Sequence, residues 1–158
     1  MLCPKAFRFR LFPTSDQAQL LHQTFGCTRY IYNHFLTERK RVYEETGQTL
    51  SAKEMSSQLP LLKESLPWLK KADSIALQAT IQALDIAYQK FFKEKKGFPR
   101  FKRRRNEQSY TTKNVNGSIR VEGNHIKLPK LGWVRFAKSR EIEGRILRAT
   151  LLRMPTGK

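Results

Sequence analysis

A short run at residues 97–105 surrounds two aromatic rings and one proline with cationic side chains. Arg and Lys neutralise phosphates and release the counterions condensed on nucleic acid, while aromatic rings stack on bases. The run therefore predicts contact with nucleic acid, in which Phe98 and Phe101 either stack on bases or pin the segment to the core. We expect phosphate contacts from five of its residues: Arg100, Lys102, Arg103, Arg104 and Arg105.

The charge of the chain is unevenly distributed. The 158 residues contain 31 Lys and Arg against 13 Asp and Glu, a net charge of +18; residues 1–89 carry +3 of it and residues 90–158 carry +15. An isolated basic run is often a solvated linker, but so large and one-sided a charge favours a polyanionic partner. An anionic membrane is the competing partner. The basic part lacks a long amphipathic helix with an apolar face to insert, so we expect no membrane contact.

Residue types for catalysis are scarce. Hydrolysis by two metal ions needs several carboxylates near the scissile phosphate, and the three Asp, at positions 16, 73 and 85, are each explained by helix capping or surface charge. The histidines are scattered, no glycine-rich phosphate loop is present, and the two cysteines, Cys3 and Cys27, lie far apart. We expect no metal site, no cofactor and no enzymatic activity from this chain. Without a long apolar stretch or a signal region, the expected location is the cytoplasm.

The first half of the chain predicts a strand followed by helices. Residues 6–12 alternate apolar and cationic side chains, which is typical of a half-buried strand. Thr14 and Gln17 form a capping-box pattern that begins a helix, and Gly26 is predicted to end it. A second helix is expected over residues 28–46, with Gly47 at its end.

Two further helices are predicted before the basic run. One begins at Ser51 and must end or kink at Pro60. The other follows Asp73 as N-cap and is the longest amphipathic segment, with five apolar residues at helical spacing: Leu77, Ile81, Leu84, Tyr88 and Phe91.

From residue 109 the period of the sequence pattern changes from that of a helix to two residues, which is typical of strands. Residues 109–115 alternate in the manner of a strand, Asn116-Gly117 is a strong signal for a hairpin turn, and residues 118–121 are expected to form the returning strand. Strands over residues 125–128, 133–136 and 145–153 complete a β meander, which the strand at 6–12 should join. Its polar face carries six cations: Lys113, Arg120, Lys127, Arg135, Arg145 and Arg148. The predicted class is α+β, with a β domain of residues 1–12 and 109–158 interrupted by a helical domain of residues 13–108.

Four ordered motifs carry a family resemblance. They are KAF and RLFP at 5–7 and 10–13, YIYNHFL at 30–36, GFPRFK at 97–102, and IKLPKLGWV at 126–134. Together they resemble the amino-terminal half of TnpB, also called OrfB, an RNA-guided nuclease that bacterial insertion sequences encode and that is related to type V CRISPR effectors. The similarity covers almost the whole chain.

The resemblance implies a wedge domain, which is a small β-barrel, interrupted by a helical recognition domain. It also implies that the RuvC-like nuclease domain, with its acidic triad and zinc finger, has no counterpart here. The implied partners are guide RNA and double-stranded DNA carrying a short target-adjacent motif. Matched to the family, three polar residues contact that motif: Ser56, Gln78 and Asn116. Lys113, Arg120 and Lys127 join the basic run in contacting phosphates.

Two alternatives stay open at this stage. The chain is a free-standing helix-turn-helix regulator if residues 14–25 and 28–46 form the helix pair and a dimer binds a palindromic site. It is an interaction protein if it docks on the full-length nuclease and competes for its RNA.

Overall fold

The computed structural model of the chain describes residues 5–94, 97–104, 107–142 and 144–153, so the predicted phosphate ligand Arg105 lies outside the described residues. The helices are α1 (Ser15–Thr46), α2 (Ala52–Ser57), α3 (Leu59–Ser65) and α4 (Ser74–Glu94), with a 3-10 turn over Pro67–Lys71. The strands are β1 (Leu11–Phe12), β2 (Gln108–Lys113), β3 (Arg120–Glu122), β4 (His125–Leu128), β5 (Gly132–Phe136) and β6 (Arg148–Arg153). The mixture of helices and small antiparallel sheets confirms the α+β class.

The predicted ends of the first helical region are confirmed, but its predicted interruption is wrong. The Thr14 hydroxyl accepts from the Gln17 amide, Gln17 Oε1 accepts from the Thr14 amide, and Gly47 ends the helix with a φ of 74°. Between them Gly26 is helical, so residues 15–46 form one helix rather than two. A glycine inside a helix costs about 1 kcal/mol, whereas each fully buried large apolar side chain contributes about 1.5–3 kcal/mol. The stabilisation from burying Phe25 and Ile31, on the two sides of Gly26, therefore exceeds the cost of the glycine.

The remaining helices follow their predicted signals. Ser51 caps α2, and Pro60 stands in the first turn of α3, after α2 has ended. The Asp73 carboxylate accepts from the Ile75 amide at 3.0 Å and caps α4, as predicted. The predicted stripe of α4 is buried over Leu77, Ile81, Leu84 and Tyr88, and it packs against α1 in a helical core.

The strands divide into two antiparallel sheets. The first sheet has the order β1-β5-β4-β3, and the second pairs β2 with β6. The amino-terminal strand joins the meander as predicted, although only Leu11 and Phe12 are paired, with Phe136 and Arg135. Both sheets contribute to a second core, which also receives Phe25 from α1 and Ala76 from α4.

The Asn-Gly turn forms, but the hairpin predicted from it does not. Asn116 and Gly117 have φ values of 53° and 75°, and the Ser118 amide donates to the Val115 carbonyl. The strand before the turn pairs with β6, and the strand after it pairs with β4. The turn therefore connects two sheets, because burial against the shared core selects the partners of each strand.

The second sheet is fastened to the start of α4 by a buried polar contact. The hydroxyl of Thr112 on β2 donates to the Asp73 carboxylate, and both side chains are buried. Burial raises the pKa of the neighbouring Tyr110 hydroxyl, and the Asp73 charge raises it further. This junction fixes the sheet relative to the helices.

Candidate nucleic-acid interface

The basic segment, defined here as residues 97–104, is docked on α1 through its backbone. The Asn33 side chain donates to the Lys102 carbonyl at 2.9 Å and accepts from the Lys102 amide at 2.7 Å. A side-chain amide that pairs with both backbone groups of one residue replaces the bonds that a neighbouring strand would make. The segment is therefore held in one conformation at its centre.

A second contact holds the end of the basic segment. Gln108 Nε2 donates to the carbonyls of Arg103 and Arg104, each at 3.0 Å. Gln108 Oε1 in turn accepts from Arg29 Nη1 on α1 at 3.0 Å. Neither Asn33 nor Gln108 was assigned a role from the sequence. Asn33 bonds to a residue 69 positions away, and both side chains bond to backbone groups, which carry no sequence signal.

The two aromatic residues of the segment differ in environment. The Phe98 ring meets Tyr88 and Phe91 edge-on, at centroid distances of 5.3 and 5.1 Å, and packs against the helical core. Phe101 is 50% exposed, and its recorded ring contact is with the Lys40 ammonium at 5.6 Å. Phe98 is therefore placed to pin the segment, while Phe101 keeps a surface on which a base can stack.

The cations of the segment face solvent. Arg100, Lys102, Arg103 and Arg104 are exposed. Across the described ranges, carboxylates form ion pairs with three other cations only: Arg39, Arg41 and Lys138. The positive charge of the segment is thus not neutralised within that part of the chain.

His22 lies at the end of this charged surface. Its Nδ1 lies 2.7 Å from Arg153 Nη1. Burial lowers the pKa of His22, and the charges of Arg153 and Arg104 lower it further. A lowered pKa favours the neutral imidazole, whose Nδ1 can accept from Arg153.

The outer face of the four-stranded sheet forms a second cationic surface. Cross-strand pairing gives this face two rows of side chains. One row contains Arg120, Lys127 and Trp133, and the other, two residues further along the strands, contains Glu122, His125, Arg135 and Phe12. The alternate row, Val121, Ile126 and Val134, is less exposed, and Ile126 and Val134 pack in the second core. Lys113 and Arg148 pair on the separate two-stranded sheet, so the six cations predicted on one sheet face occupy more than one surface. Arg145 lies in the loop before β6.

Some of these side chains are engaged by the protein itself. Arg120 Nε donates to the Gly117 carbonyl at 3.0 Å, and Lys113 Nζ donates to Gln82 Oε1 on α4 at 2.9 Å. Phe12 lies under two guanidinium groups, those of Arg10 and Arg135. Each cation keeps further N–H groups for a ligand.

Trp133 is an exposed aromatic residue on the sheet that the sequence reading did not select. It is 40% exposed and stands beside Lys127. The alternation of β5 contained the signal, since Val134 and Phe136 are buried and Trp133 must point the other way.

The three residues matched to a DNA motif lie on different elements. Ser56 is half-buried on α2, Gln78 is exposed on α4, and Asn116 is exposed in the Asn-Gly turn. Gln78 precedes Gln82 by one helical turn, and Gln82 binds Lys113 at the end of the strand that leads to Asn116. The positions of these residues are compatible with the predicted role, which stays a prediction.

A long groove runs along α1 beside the basic segment. It has a volume of about 720 Å³ and is lined mainly by one face of α1, with Trp68 and Lys71 from the 3-10 turn and Phe101 from the basic segment. We call it the α1 groove. A second groove, of about 670 Å³, lies against the segment itself and shares Phe101.

No group of three or more His, Cys, Asp and Glu side chains that could hold a metal ion occurs in the described ranges. None of the helices in those ranges is long and apolar enough to cross a membrane.

Residues 1–48 match the model of a helix-turn-helix domain of the OrfB type. Helix-turn-helix domains are a class of DNA-binding module. The chain belongs to the OrfB/TnpB family and matches its amino-terminal part. The predicted helix pair of a free-standing regulator is nevertheless absent, because α1 is continuous.

Two similar proteins are named as nucleases. The chain is 30% identical over 149 residues to "Putative RNA-guided DNA endonuclease InsQ" of Escherichia coli, covering 93% of this chain and 37% of that protein. It is 34% identical over 107 residues to "Putative RNA-guided DNA endonuclease" of Streptomyces pristinaespiralis, covering 66% of this chain and 27% of that protein. The chain therefore spans little more than a third of the first protein and little more than a quarter of the second.

A third similar protein is shorter. The chain is 34% identical over 111 residues to "Virulence protein VsdF" of Salmonella dublin, covering 63% of this chain and 93% of that protein.

Proposed function

We propose that the chain binds nucleic acid without cutting it, as the guide-RNA-binding and DNA-motif-binding part of a TnpB-like RNA-guided endonuclease. The docked basic segment carries the proposal. Its backbone is fixed by Asn33 and Gln108, while its cations are exposed and free of carboxylate partners in the described ranges. Because the backbone that carries these cations is already fixed, it loses little conformational freedom when the segment meets a phosphate chain.

The two cationic surfaces suit different parts of such a ligand. The basic segment offers mainly phosphate contacts, which position a strand without reading its sequence. Gln78 and Asn116 are exposed amides that can donate to and accept from base edges, and they serve in this proposal as readers of the target-adjacent DNA. The sheet face around Lys127 and Trp133 serves as a second contact for structured RNA.

The proposal is tested by removing charge at two sites and comparing the salt dependence of binding. Arg100→Ala with Arg103→Ala lowers the charge on the segment by two. The control, Lys53→Ala with Lys90→Ala, removes the same charge from exposed positions of α2 and α4. Binding to a labelled RNA hairpin and a DNA duplex is measured by fluorescence anisotropy at several salt concentrations.

We expect the segment variant to bind all sequences more weakly, with the slope of log K against log salt reduced by about one for each lost phosphate contact. The control should keep the wild-type slope. Equal slopes for the two variants would show that the segment is not the contact surface. Cleavage of either ligand by the purified chain with magnesium would contradict the noncatalytic part of the proposal.

A second candidate function is docking on the full-length nuclease, with competition for its RNA. Co-purification of the tagged chain with that nuclease, and its loss after RNase treatment, would separate direct docking from a shared RNA.

A further inference from the structure

The α1 groove has a floor that is kept open by a single glycine. Gly26 lies in the middle of α1 with helical backbone, so no unusual φ requires a glycine there. A Cβ built at this position would meet nothing closer than Arg29 Nη2 at 3.8 Å, an ordinary contact. A small side chain would therefore fit at this position, whereas a large one would extend into the groove that Gly26 lines.

One wall of the groove is an aromatic ring that is already held in position. Trp68 is 42% exposed, and its ring meets Tyr30 edge-on at 5.1 Å. The carbonyl of Trp68 accepts from the Cys27 thiol of α1, with a sulfur–oxygen distance of 3.6 Å. Burial raises the pKa of Cys27, which keeps this donor protonated. The indole can therefore receive a flat ligand with little loss of its own freedom.

The charge of the groove favours an anionic ligand. Arg29 and Lys71 line it, and Phe101 joins it to the basic segment. The carboxylate among its lining residues, Glu38, accepts from Arg41 at 2.8 Å, and this hydrogen bond lowers the pKa of Glu38. A volume of about 720 Å³ lies within the range of small-ligand sites.

We propose that the α1 groove holds an unpaired nucleotide, with its base against Trp68 and its phosphate beside Lys71 and Arg29. This inference rests on the nucleic-acid binding proposed above and makes it specific, because a fully paired duplex has no free base to offer. A strand that follows the basic segment would enter the groove past Phe101.

The test fills the groove without changing charge. Gly26→Leu places a side chain in the open space over the floor, and Ala83→Leu adds a leucine on the exposed face of α4 as the matched control. Melting temperatures are recorded first, and we expect Gly26→Leu to melt at or above the wild-type temperature because leucine favours helix. Affinities are then measured for a uridine oligomer, a thymidine oligomer and a blunt DNA duplex; the first two distinguish RNA from DNA as the source of the nucleotide.

We expect Gly26→Leu to weaken single-strand binding by roughly 5- to 150-fold, the usual effect of losing one base–aromatic stack. Duplex affinity and the salt slope of duplex binding should stay at wild-type values, as should all affinities of Ala83→Leu. In a Trp133→Phe background, single strands should quench Trp68 fluorescence, and Gly26→Leu should abolish the quenching. If Gly26→Leu does not fold, Trp68→Ala, which leaves α1 intact, should give the same loss.

Wild-type single-strand affinity in folded Gly26→Leu, or unquenched Trp68, would overturn the groove assignment and leave the proposed function standing. Duplex binding without single-strand binding by the wild-type chain would do the same. A wild-type chain that binds none of the three ligands would overturn both.

Discussion

The Asn33 contact makes a prediction that separates conformation from charge. Asn33→Ala removes two hydrogen bonds, of 2.9 and 2.7 Å, that join α1 to the backbone of Lys102. It leaves every cation of the basic segment in place. If docking is what makes these cations effective, binding must weaken although the charge is unchanged.

The expected size follows from the two bonds. Each net hydrogen bond contributes about 0.5–1.5 kcal/mol, so the docked segment should lose about 1–3 kcal/mol relative to an undocked one. That is a change of about 5- to 150-fold in the equilibrium between the two. The Gln108 contacts and the packing of Phe98 remain, which confines the opening to the segment.

Two assays follow the opening. Trypsin cleaves after Lys and Arg, and its rate at the segment should rise in proportion to the open population under conditions of fast opening and closing. Affinity for an RNA hairpin should fall, while the slope against salt concentration stays at the wild-type value because no phosphate contact is removed. Thr46→Ala, which removes the two hydrogen bonds of the Thr46 hydroxyl at the carboxyl end of α1, is the control.

Cleavage of Asn33→Ala at the wild-type rate would show that the Asn33 bonds do not hold the segment. Faster cleavage with unchanged RNA affinity would show that docking is irrelevant to binding. A reduced salt slope would show that the variant has lost phosphate contacts, which the reasoning does not allow.

Two further predictions concern stability. Asp73→Ala removes the cap of α4 and the acceptor of the buried Thr112 hydroxyl, and should lower the free energy of unfolding in urea by about 2–4 kcal/mol; an effect no larger than that of the exposed Asp16→Ala would contradict the role given to this junction. The lowered pKa of Glu38 means that its pairing with Arg41 stabilises the fold above the ordinary carboxyl pKa of 4.5 and is lost as pH falls through the lower folded value. Melting temperature between pH 5.5 and 3 should therefore decline less steeply in Glu38→Gln, and identical profiles would refute this.

Local signals in the sequence predicted local structure well. The caps at Thr14 and Asp73, the helix end at Gly47 and the Asn-Gly turn all depend on neighbouring backbone groups, and all are present. The polarity of each strand is likewise contained in its own alternation, as Trp133 beside Val134 shows.

Partner choice across the fold was not predictable in the same way. The local sequence around Gly26 is typical of a helix end, but the burial of residues on both sides of it stabilises a continuous helix. The Asn-Gly turn specifies a reversal of the chain and not which strands pair after it, because pairing depends on the shared core. The clamp between Asn33 and Lys102 joins residues 69 positions apart, one of them through its backbone.

Because α1 is continuous, it fixes the distance between two contact points at which other elements are attached to it. Near its start, Gln17 donates to the carbonyl of Trp133 in the four-stranded sheet and to that of Leu131 in the turn before β5. Sixteen residues later, the Asn33 side chain bonds to the basic segment. At 1.5 Å per residue these two anchor points are about 24 Å apart along one rigid rod. A ligand that engages the sheet and the segment together must match that spacing, which is about seven base pairs of B-form duplex.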